Sequence, residues 1–182
     1  MIRIETERLI IRNFKESDAS GLWDYLSQPR VNCFIDEKLN TIEDAVANVK
    51  QREKDELQLA VCLKDDDKII GNLFARKEEP DTYSVGWQFN GKYEGKGYAR
   101  EAASTYLSFL FKNKNARRIY AYVEDTNLRS QKLCERLGMR KEGCFKEFIS
   151  FTQNEDGTPR YENTFQYAVL KKEFLLCDLD SE

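Results

Sequence analysis

The segment from Val85 to Ala102 constrains the fold most, because a strand pattern, a glycine-bearing loop and a helix pattern follow one another without a break. Apolar and polar residues alternate up to Phe89, Gly95 and Gly97 lie in the loop, and a helical period begins at Tyr98. Helix N-termini leave N–H groups unpaired and carry positive dipole charge, and glycines let the backbone approach a bulky anion. The segment predicts a pyrophosphate site, and a plain surface loop is the alternative.

The patterns on either side of this segment predict one α/β domain spanning residues 1–182. The first predicted elements are a strand over Arg8–Phe14, a helix capped by Ser17 and running to Leu26, and a helix opened by a capping box at Thr41. Three strands follow, over Leu57–Leu63, Lys68–Arg76 and Thr82–Asn90, and then a helix from Tyr98. The last elements are a strand over Arg117–Glu124, a short helix stopped by Gly138, and a hairpin of Lys141–Phe151 and Glu162–Leu170 that turns at Asp156-Gly157. Hairpins followed by strand–helix–strand units favour a mixed, mostly antiparallel sheet with helices on both faces.

Composition excludes several kinds of chemistry. The chain contains no histidine, which removes Ser-His-Asp systems, histidine-containing zinc sites and an imidazole base. A net charge of -3 argues against bulk attraction to nucleic acid, and no apolar stretch is long enough to span a bilayer. We expect the acidic run Asp65–Asp67 to be a solvated turn and not a metal site. The five cysteines have no CxxC spacing and predict reduced thiols in a cytoplasm: Cys33, Cys62, Cys134, Cys144 and Cys177.

A second segment, one strand after the glycine loop, carries the pattern Asn127-Leu128-Arg129-Ser130 followed by Gly138-Met139. Here the chain resembles the GNAT N-acetyltransferases. The family's acyl-CoA motif, Gln/Arg-x-x-Gly-x-Gly/Ala, is matched by Lys92–Gly97, and its later Asn-x-x-Ser/Ala…Gly-Phe block is matched by the second segment. Lys92 stands where the family has Gln or Arg, and Met139 stands where it has Phe.

Within that family the chain is most similar to the branch that acetylates the N-termini of ribosomal proteins. The similarity lies in the opening segment Thr6–Arg12, in the helix start Gly97–Ala102 and in Glu142-Gly143. The acceptor implied by the resemblance is an amine, either a protein N-terminus or a small molecule, and a homodimer is a further implication. The sequence itself contains no specificity motif for the acceptor.

The resemblance implies that the sheet splays open beside the glycine loop and that acetyl-CoA, as cosubstrate, lies in the opening. Its pantetheine arm would pair with the strand backbone, and the backbone near Gln88 and Phe89 would polarise the thioester carbonyl. An amine would then attack the thioester directly, without an acyl-enzyme. The implied acyl-CoA contacts are Gln88, Phe89, Asn90, Lys92, Gly95, Lys96, Gly97, Tyr98, Ala99, Asn127 and Ser130. The alternative function is a non-catalytic acyl-CoA-binding module of the same fold.

Three residues are the candidates for proton transfer. Ser130 matches the serine that the resemblance implies as donor to the CoA thiolate, and the alternative is a solvated helix serine. Cys134 shares its helix face at i+4 and stands where many relatives carry Tyr, and the alternative is a packed core cysteine. A carboxylate with a raised pKa would serve as the base, and Glu142 is a candidate together with Glu124, Asp125 and Glu147. Asn127 also suits an ordinary helix N-cap.

Overall fold

The computed structural model describes residues 1–174, which form eight β-strands and four α-helices. The strands are β1 (Arg3–Glu5), β2 (Leu9–Asn13), β3 (Gln58–Leu63), β4 (Ile69–Glu78), β5 (Thr82–Phe89), β6 (Arg118–Glu124), β7 (Arg140–Gln153) and β8 (Pro159–Leu170). The helices are α1 (Ala19–Leu26), α2 (Ile42–Arg52), α3 (Tyr98–Asn113) and α4 (Leu128–Arg136), with 3-10 turns at Glu16–Asp18, Asn32–Glu37 and Gly91–Tyr93. The strand order is β1-β2-β3-β4-β5-β6-β8-β7, and β5 and β6 are parallel. The predicted mixed sheet with helices is confirmed.

The described residues group into two compact units. The first contains residues 1–75 and 87–106, and the second contains residues 76–86 and those from 107 onward. The single domain over residues 1–182 stays a prediction. Cys177 lies outside the described residues, and the other four cysteines are free thiols.

In the first unit, both faces of β2 and β3 are buried. Ile10 and Cys62 face one side, and Ile11 and Val61 face the other, all at most 5% exposed. The first of these faces packs against α1 and α2 through a cluster of buried residues: Ile10, Phe14, Ala19, Leu22, Tyr25, Leu26, Leu39, Ala45, Val49, Ala60, Cys62 and Ile69. Burial on both faces explains why β2 and β3 read as nearly continuous apolar runs.

Capping decides where the first two helices begin. Thr41 accepts a hydrogen bond from the Asp44 N–H at 3.1 Å, and the Asp44 carboxylate accepts from the Thr41 N–H at 3.0 Å, so the predicted capping box is confirmed. The predicted cap at Ser17 is wrong. Ser17 lies inside a 3-10 turn, and α1 begins only at Ala19, because the Asp18 carboxylate fixes this turn by accepting from the Lys15 N–H at 2.9 Å.

Two short elements of the first unit were not predicted. Strand β1 has three residues and pairs antiparallel with β2, from Arg3 opposite Arg12 to Glu5 opposite Ile10. The 3-10 turn over Asn32–Glu37 follows the end of α1. Neither segment is long enough to show a hydrophobic period, so sequence patterns do not reveal them.

In the second unit, the pairing of β5 with β6 is short. Among the described residues the register runs only from Thr82 opposite Arg118 to Ser84 opposite Tyr120, although β5 continues to Phe89. Strand β8 pairs antiparallel with both β6 and β7. The early end of the pairing agrees with the predicted splay of the sheet beside β5.

The hairpin of β7 and β8 turns at the predicted place. Gly157 adopts a φ of +83° and donates its N–H to the Asn154 carbonyl at 3.0 Å. Strand β8 begins at Pro159, three residues before the predicted start. None of the described helices is long and apolar enough to cross a membrane. Residues 1–174 contain no group of three or more acidic or cysteine side chains placed to hold a metal ion.

Candidate functional site

The loop before α3 has the backbone geometry of an anion site. Gly95 and Gly97 adopt φ values of +79° and +82°, which non-glycine residues rarely adopt. A Cβ added at Gly95 would meet no atom within 4 Å, so a ligand can approach the backbone there. Within the described part of the chain, the backbone N–H groups of residues 95–100 donate no hydrogen bond. These N–H groups, at the positive end of the α3 dipole, can bind an anion such as a pyrophosphate.

The side chain of Lys92 is occupied by an ion pair and does not extend freely from the loop. Its Nζ lies 2.6 Å and 2.9 Å from the two carboxylate oxygens of Asp24. Asn90 donates to the same carboxylate at 2.8 Å and accepts from the Lys92 N–H at 3.0 Å, which caps the 3-10 turn. These contacts hold the pKa of Asp24 below its ordinary value, with the hydrogen bond from Lys92 as the main cause. The side chains of Asn90 and Lys92, both predicted as ligand contacts, therefore hold the 3-10 turn in place.

An arginine from the opening segment holds the other end of the loop. Arg8 donates from Nη1 to the Lys96 carbonyl at 2.9 Å and from Nε to Glu101 at 2.7 Å. Glu101 also accepts from the hydroxyl of Thr6 at 2.6 Å, and the Arg8 guanidinium carbon lies 4.7 Å from the ring centroid of Tyr98. The opening segment is thereby fastened to the first turn of α3.

A second arginine braces the middle of the loop. Arg30 forms an ion pair with Glu94 at 2.8 Å. A Cβ at Gly91 would lie 2.4 Å from the Arg30 Nη1, so a side chain at this position would have to displace the guanidinium. Arg8, Arg30 and Lys92 thus hold the loop through their contacts, while its glycine backbone stays open.

The end of β5 is held tightly against β4 in the first unit. The Asn90 N–H donates to the Ile70 carbonyl at 2.9 Å. A Cβ at Gly71 would lie 2.5 Å from both the Gln88 carbonyl oxygen and the Phe89 ring. Glycine at position 71 therefore permits the close approach of β4 and β5. This approach fixes the backbone of Gln88 and Phe89, the residues expected to polarise a thioester.

The side chain of Gln88 is hydrogen-bonded to the carboxylate of Glu37. Its Nε2 donates to Glu37 at 3.1 Å, and the same carboxylate oxygen accepts from Arg52 at 2.8 Å. Gln88 and Arg52 are buried, whereas the Glu37 side chain is 40% exposed. The interaction fixes a partly exposed carboxylate on the turn that follows α1.

In the second unit, Asn127 caps α4. Its Oδ1 accepts from the Ser130 N–H at 3.2 Å. Gln131 donates to the carbonyls of Glu124 and Asp125 at 3.2 Å and 2.9 Å, which ties the helix start to the end of β6. The ordinary capping role of Asn127 is confirmed, and its amide nitrogen donates to the Glu124 carboxylate at 3.5 Å.

Cys134 lies one turn after Ser130 and is completely buried. Burial raises the pKa of its thiol to about 12. A buried thiol of this kind is protonated, but it cannot contact a ligand without moving. The structure therefore favours the packing alternative for Cys134, and Ser130 is the more accessible of the two.

Glu142 is held by two arginines. It lies 2.6 Å from Arg118 and 2.5 Å from Arg140, and the hydrogen bond from Arg118 is the main cause that lowers its pKa. A base that takes a proton from an ammonium group needs a raised pKa. The geometry thus argues against the expected base role of Glu142 and assigns it to an ion pair between β6 and β7.

The other three candidate carboxylates cluster around the end of β6. Glu124 is buried, and Asp125 accepts from the Asn163 side chain at 2.7 Å. The Glu147 N–H donates to the Asn163 Oδ1 at 3.0 Å. Glu124 and Asp125 lie just before the start of α4 in the chain, and all of these residues belong to the second unit.

The structure groups the predicted residues within each unit. The first unit contains Gln88, Phe89, Asn90, Lys92, Gly95, Lys96, Gly97, Tyr98 and Ala99, and the second contains Asn127, Ser130, Cys134 and Glu142. Sequence reasoning missed the braces of the loop, which are Asp24, Arg30 and Gly71. Only Gly71 carried a local signal, since a glycine inside a strand pattern marks a close backbone approach.

Comparisons with known proteins agree with this geometry. The family model described as Acetyltransferase (GNAT) domain matches residues 8–140. Uncharacterized N-acetyltransferase YnaD of Bacillus subtilis is 37% identical over 175 residues, covering 95% of this chain and 99% of the relative. The [Ribosomal protein uS5]-alanine N-acetyltransferase of Escherichia coli is 24% identical over 163 residues, covering 81% of this chain and 83% of the relative.

A solved structure also shares the fold. The crystal structure of a GNAT-family acetyltransferase from Bacillus anthracis is 33% identical, with a TM-score of 0.83, covering 94% of this chain and all of that one. Sequence match, relatives and fold agree with one another and with the glycine loop at the start of α3. The chain therefore belongs to the GNAT family and is an acetyltransferase.

Proposed function

We propose that this protein transfers the acetyl group of acetyl-CoA to a primary amine, by direct attack of the amine within a ternary complex. The observation that carries the proposal is the loop of Gly95 and Gly97, which leads into the unpaired N–H groups at the start of α3. Such a loop suits the pyrophosphate of a coenzyme A ester better than an uncharged ligand, because its N–H groups and dipole favour negative charge.

Strand β5 supplies the second part of the proposal. Its described register with β6 ends at Ser84, whereas the strand itself continues to Phe89. We assign the pantetheine arm to the part of β5 beyond Ser84, because an extended amide chain pairs with a strand as another strand does. The backbone near Gln88 and Phe89 then polarises the thioester carbonyl.

The chemistry requires proton transfers at the amine and at the thiolate. A carboxylate removes a proton from the ammonium form of the acceptor, and the neutral amine attacks the thioester carbon. The C–N bond forms, the C–S bond breaks, and the nitrogen releases its second proton to solvent to give the amide. The CoA thiolate takes a proton from the Ser130 hydroxyl, which recovers one from solvent. The lowered pKa of Glu142 argues against Glu142 as this base.

The acceptor belongs to the class of primary amines. The uS5-alanine N-acetyltransferase among the relatives supports a protein N-terminus as the first acceptor to test. A peptide beginning with alanine, a polyamine, an aminoglycoside and a free amino acid form the panel. Turnover of one of them distinguishes an enzyme from a module that binds acetyl-CoA without catalysis.

Calorimetric titration with acetyl-CoA tests the cosubstrate. A Gly97→Val variant is the probe, and Gly157→Val is its matched control, because Gly157 has nearly the same φ, +83° against +82°, in the remote hairpin turn. Both variants suffer the same backbone strain, but only the first places a side chain on the loop. We expect binding to be lost in Gly97→Val and kept in Gly157→Val. A folded wild type that stays silent up to millimolar acetyl-CoA would contradict the proposal.

A further inference from the structure

We propose that Arg8 is a positioning residue of the glycine loop, which fixes the direction of the Gly97 N–H and thereby sets the affinity for the pyrophosphate of acetyl-CoA. The inference rests on the proposed function. It assigns a role to the opening segment Thr6–Arg12, whose similarity to the family says nothing about its task.

The contacts of Arg8 reach both the loop and the helix that follows. Its Nη1 donates to the Lys96 carbonyl at 2.9 Å, its Nε lies 2.7 Å from Glu101, and its Nη2 lies 2.6 Å from the same carboxylate. The Arg8 N–H also donates to Glu101, at 3.0 Å. The guanidinium is therefore held in one orientation, because its Nε and Nη2 both contact the Glu101 Oε2 and its remaining nitrogen donates to the loop.

The bond to Lys96 determines more than the position of one carbonyl. The C=O of Lys96 and the N–H of Gly97 belong to one planar trans peptide group and point in opposite directions. An arginine that fixes this C=O therefore also directs the Gly97 N–H away from itself. Gly97 has no Cβ and adopts a φ of +82°, so it has no side chain that could restrain this peptide. A contact from outside the loop therefore has to restrain it.

Arg8 has a second effect, through the charge of Glu101. This carboxylate lies in the first turn of α3, beside the N–H groups that face the anion. An unpaired negative charge there would repel a pyrophosphate. The ion pair with Arg8 neutralises it, and the Thr6 hydroxyl at 2.6 Å holds it in place.

The other arginine of the opening segment does not share this role. Arg12 is buried and donates to Asp18 and Asp67, which belong to the turns before α1 and β4. The two arginines, four residues apart, thus separate into one that stabilises the fold and one that orients the loop. Substitution of Arg8 should therefore affect the ligand more than the stability.

The test compares two acetyl donors. Arg8→Ala and Arg8→Lys are measured with acetyl-CoA and with acetyl-pantetheine, which has the same thioester and pantetheine but lacks the pyrophosphate. Arg3→Ala is the matched control, because the Arg3 side chain is exposed like that of Arg8 but forms its ion pair with Glu5, away from the loop. Thermal melting verifies that each variant is folded.

We expect Arg8→Ala to raise the Kd and the KM for acetyl-CoA about tenfold, the loss expected for one charge-assisted hydrogen bond. The kcat and the activity with acetyl-pantetheine should stay at the wild-type level. Arg8→Lys keeps the charge opposite Glu101 but not the fork, and should recover part of the affinity. The double variant Arg8→Ala with Glu101→Gln should remain weaker than wild type, because the Lys96 peptide is still unrestrained.

Two results would overturn the inference. An Arg8→Ala variant with wild-type affinity for acetyl-CoA would show that the loop orients itself. An equal loss with both donors would show a general structural effect. Failure of the wild type to bind acetyl-CoA would instead refute the proposed function, so the two failures are distinguishable.

Discussion

The guanidinium of Arg12 donates from Nη1 and Nη2 to the two carboxylate oxygens of Asp18, each at 2.8 Å, and the two side chains are only 8% and 3% exposed. Asp67 accepts a third bond, from the Arg12 Nε, at 2.9 Å. Burial by itself lowers the pKa of Arg12, but the hydrogen bonds that it donates to Asp18 and Asp67 outweigh burial and raise the pKa. The cation is therefore a permanent part of the first unit.

Removing one partner of this pair should be costly. Asp18→Asn removes the buried counter-charge of Arg12 and leaves it the partly exposed Asp67, and we expect it to lower the free energy of unfolding by about 3 kcal/mol. Urea unfolding followed by circular dichroism measures the loss. Arg3→Ala, which breaks an exposed ion pair, should change the same quantity by less than about 0.5 kcal/mol. Equal effects of the two substitutions would be evidence against this account.

Lys92→Ala should change the affinity for acetyl-CoA by less than about threefold, because its ammonium is paired with Asp24 and exposed ion pairs contribute little. The position of Lys92 in the acyl-CoA motif by itself predicts a larger loss of affinity for acetyl-CoA, because a phosphate contact would be missing. Calorimetric titration of the variant beside Gly97→Val separates the two expectations. A loss for Lys92→Ala as large as that for Gly97→Val would mean that the lysine leaves Asp24 for the ligand.

The Glu101 carboxylate should make stability depend on pH. Burial raises its pKa, but the hydrogen bonds from Thr6 and Arg8 together lower it below the ordinary value of 4.5. The stabilisation is therefore fully present above pH 4.5 and is lost as the pH falls through the lowered pKa. Urea unfolding of wild type and Glu101→Gln from pH 7 to pH 3 should show a difference that shrinks in acid. A constant difference would contradict the assignment.

Substitutions of Ser130 and Cys134 should have different effects on kcat. Cys134→Ala removes a buried group of atoms and should lower the melting temperature while leaving kcat unchanged. Ser130→Ala should lower kcat by at least about tenfold, as expected for loss of a general acid. Thiol labelling gives an independent measurement, since exposed Cys144 should react quickly and Cys134 only upon unfolding. A large fall in kcat for Cys134→Ala would restore it as a proton donor.

Gly71→Ala should disturb the end of β5. The added methyl would lie 2.5 Å from the Gln88 carbonyl and the Phe89 ring, so the strands must separate, at a cost of about 1–3 kcal/mol. Because the shifted backbone is the proposed thioester contact, kcat should fall as well. Gly143→Ala is the control, since its Cβ meets nothing within 4 Å. Melting temperature and kcat of both variants decide the point.

Local patterns were sufficient for much of the architecture. The strands β2 to β6, the capping box of Thr41 and the glycine stop at Gly138 all appear where the sequence predicts them. Each depends on neighbours within a few residues: an apolar period, a cap, or a φ that only glycine adopts readily. The motif residues of Lys92–Gly97 and Asn127–Ser130 carried the family resemblance, which the comparisons confirm.

The tertiary structure decided what the charged residues do. Lys92, Arg8 and Glu142 looked alike in the sequence, as charged residues in motif segments. Their partners Asp24, Glu101 and Arg118 lie 68, 93 and 24 residues away in the chain, and folding alone brings them together. The sequence by itself thus determined the glycine loop and its helix, since these need only local geometry. Which side chains hold that loop and which remain for chemistry depends on long-range contacts, because the role of a charged side chain is set by the partner that the fold places beside it.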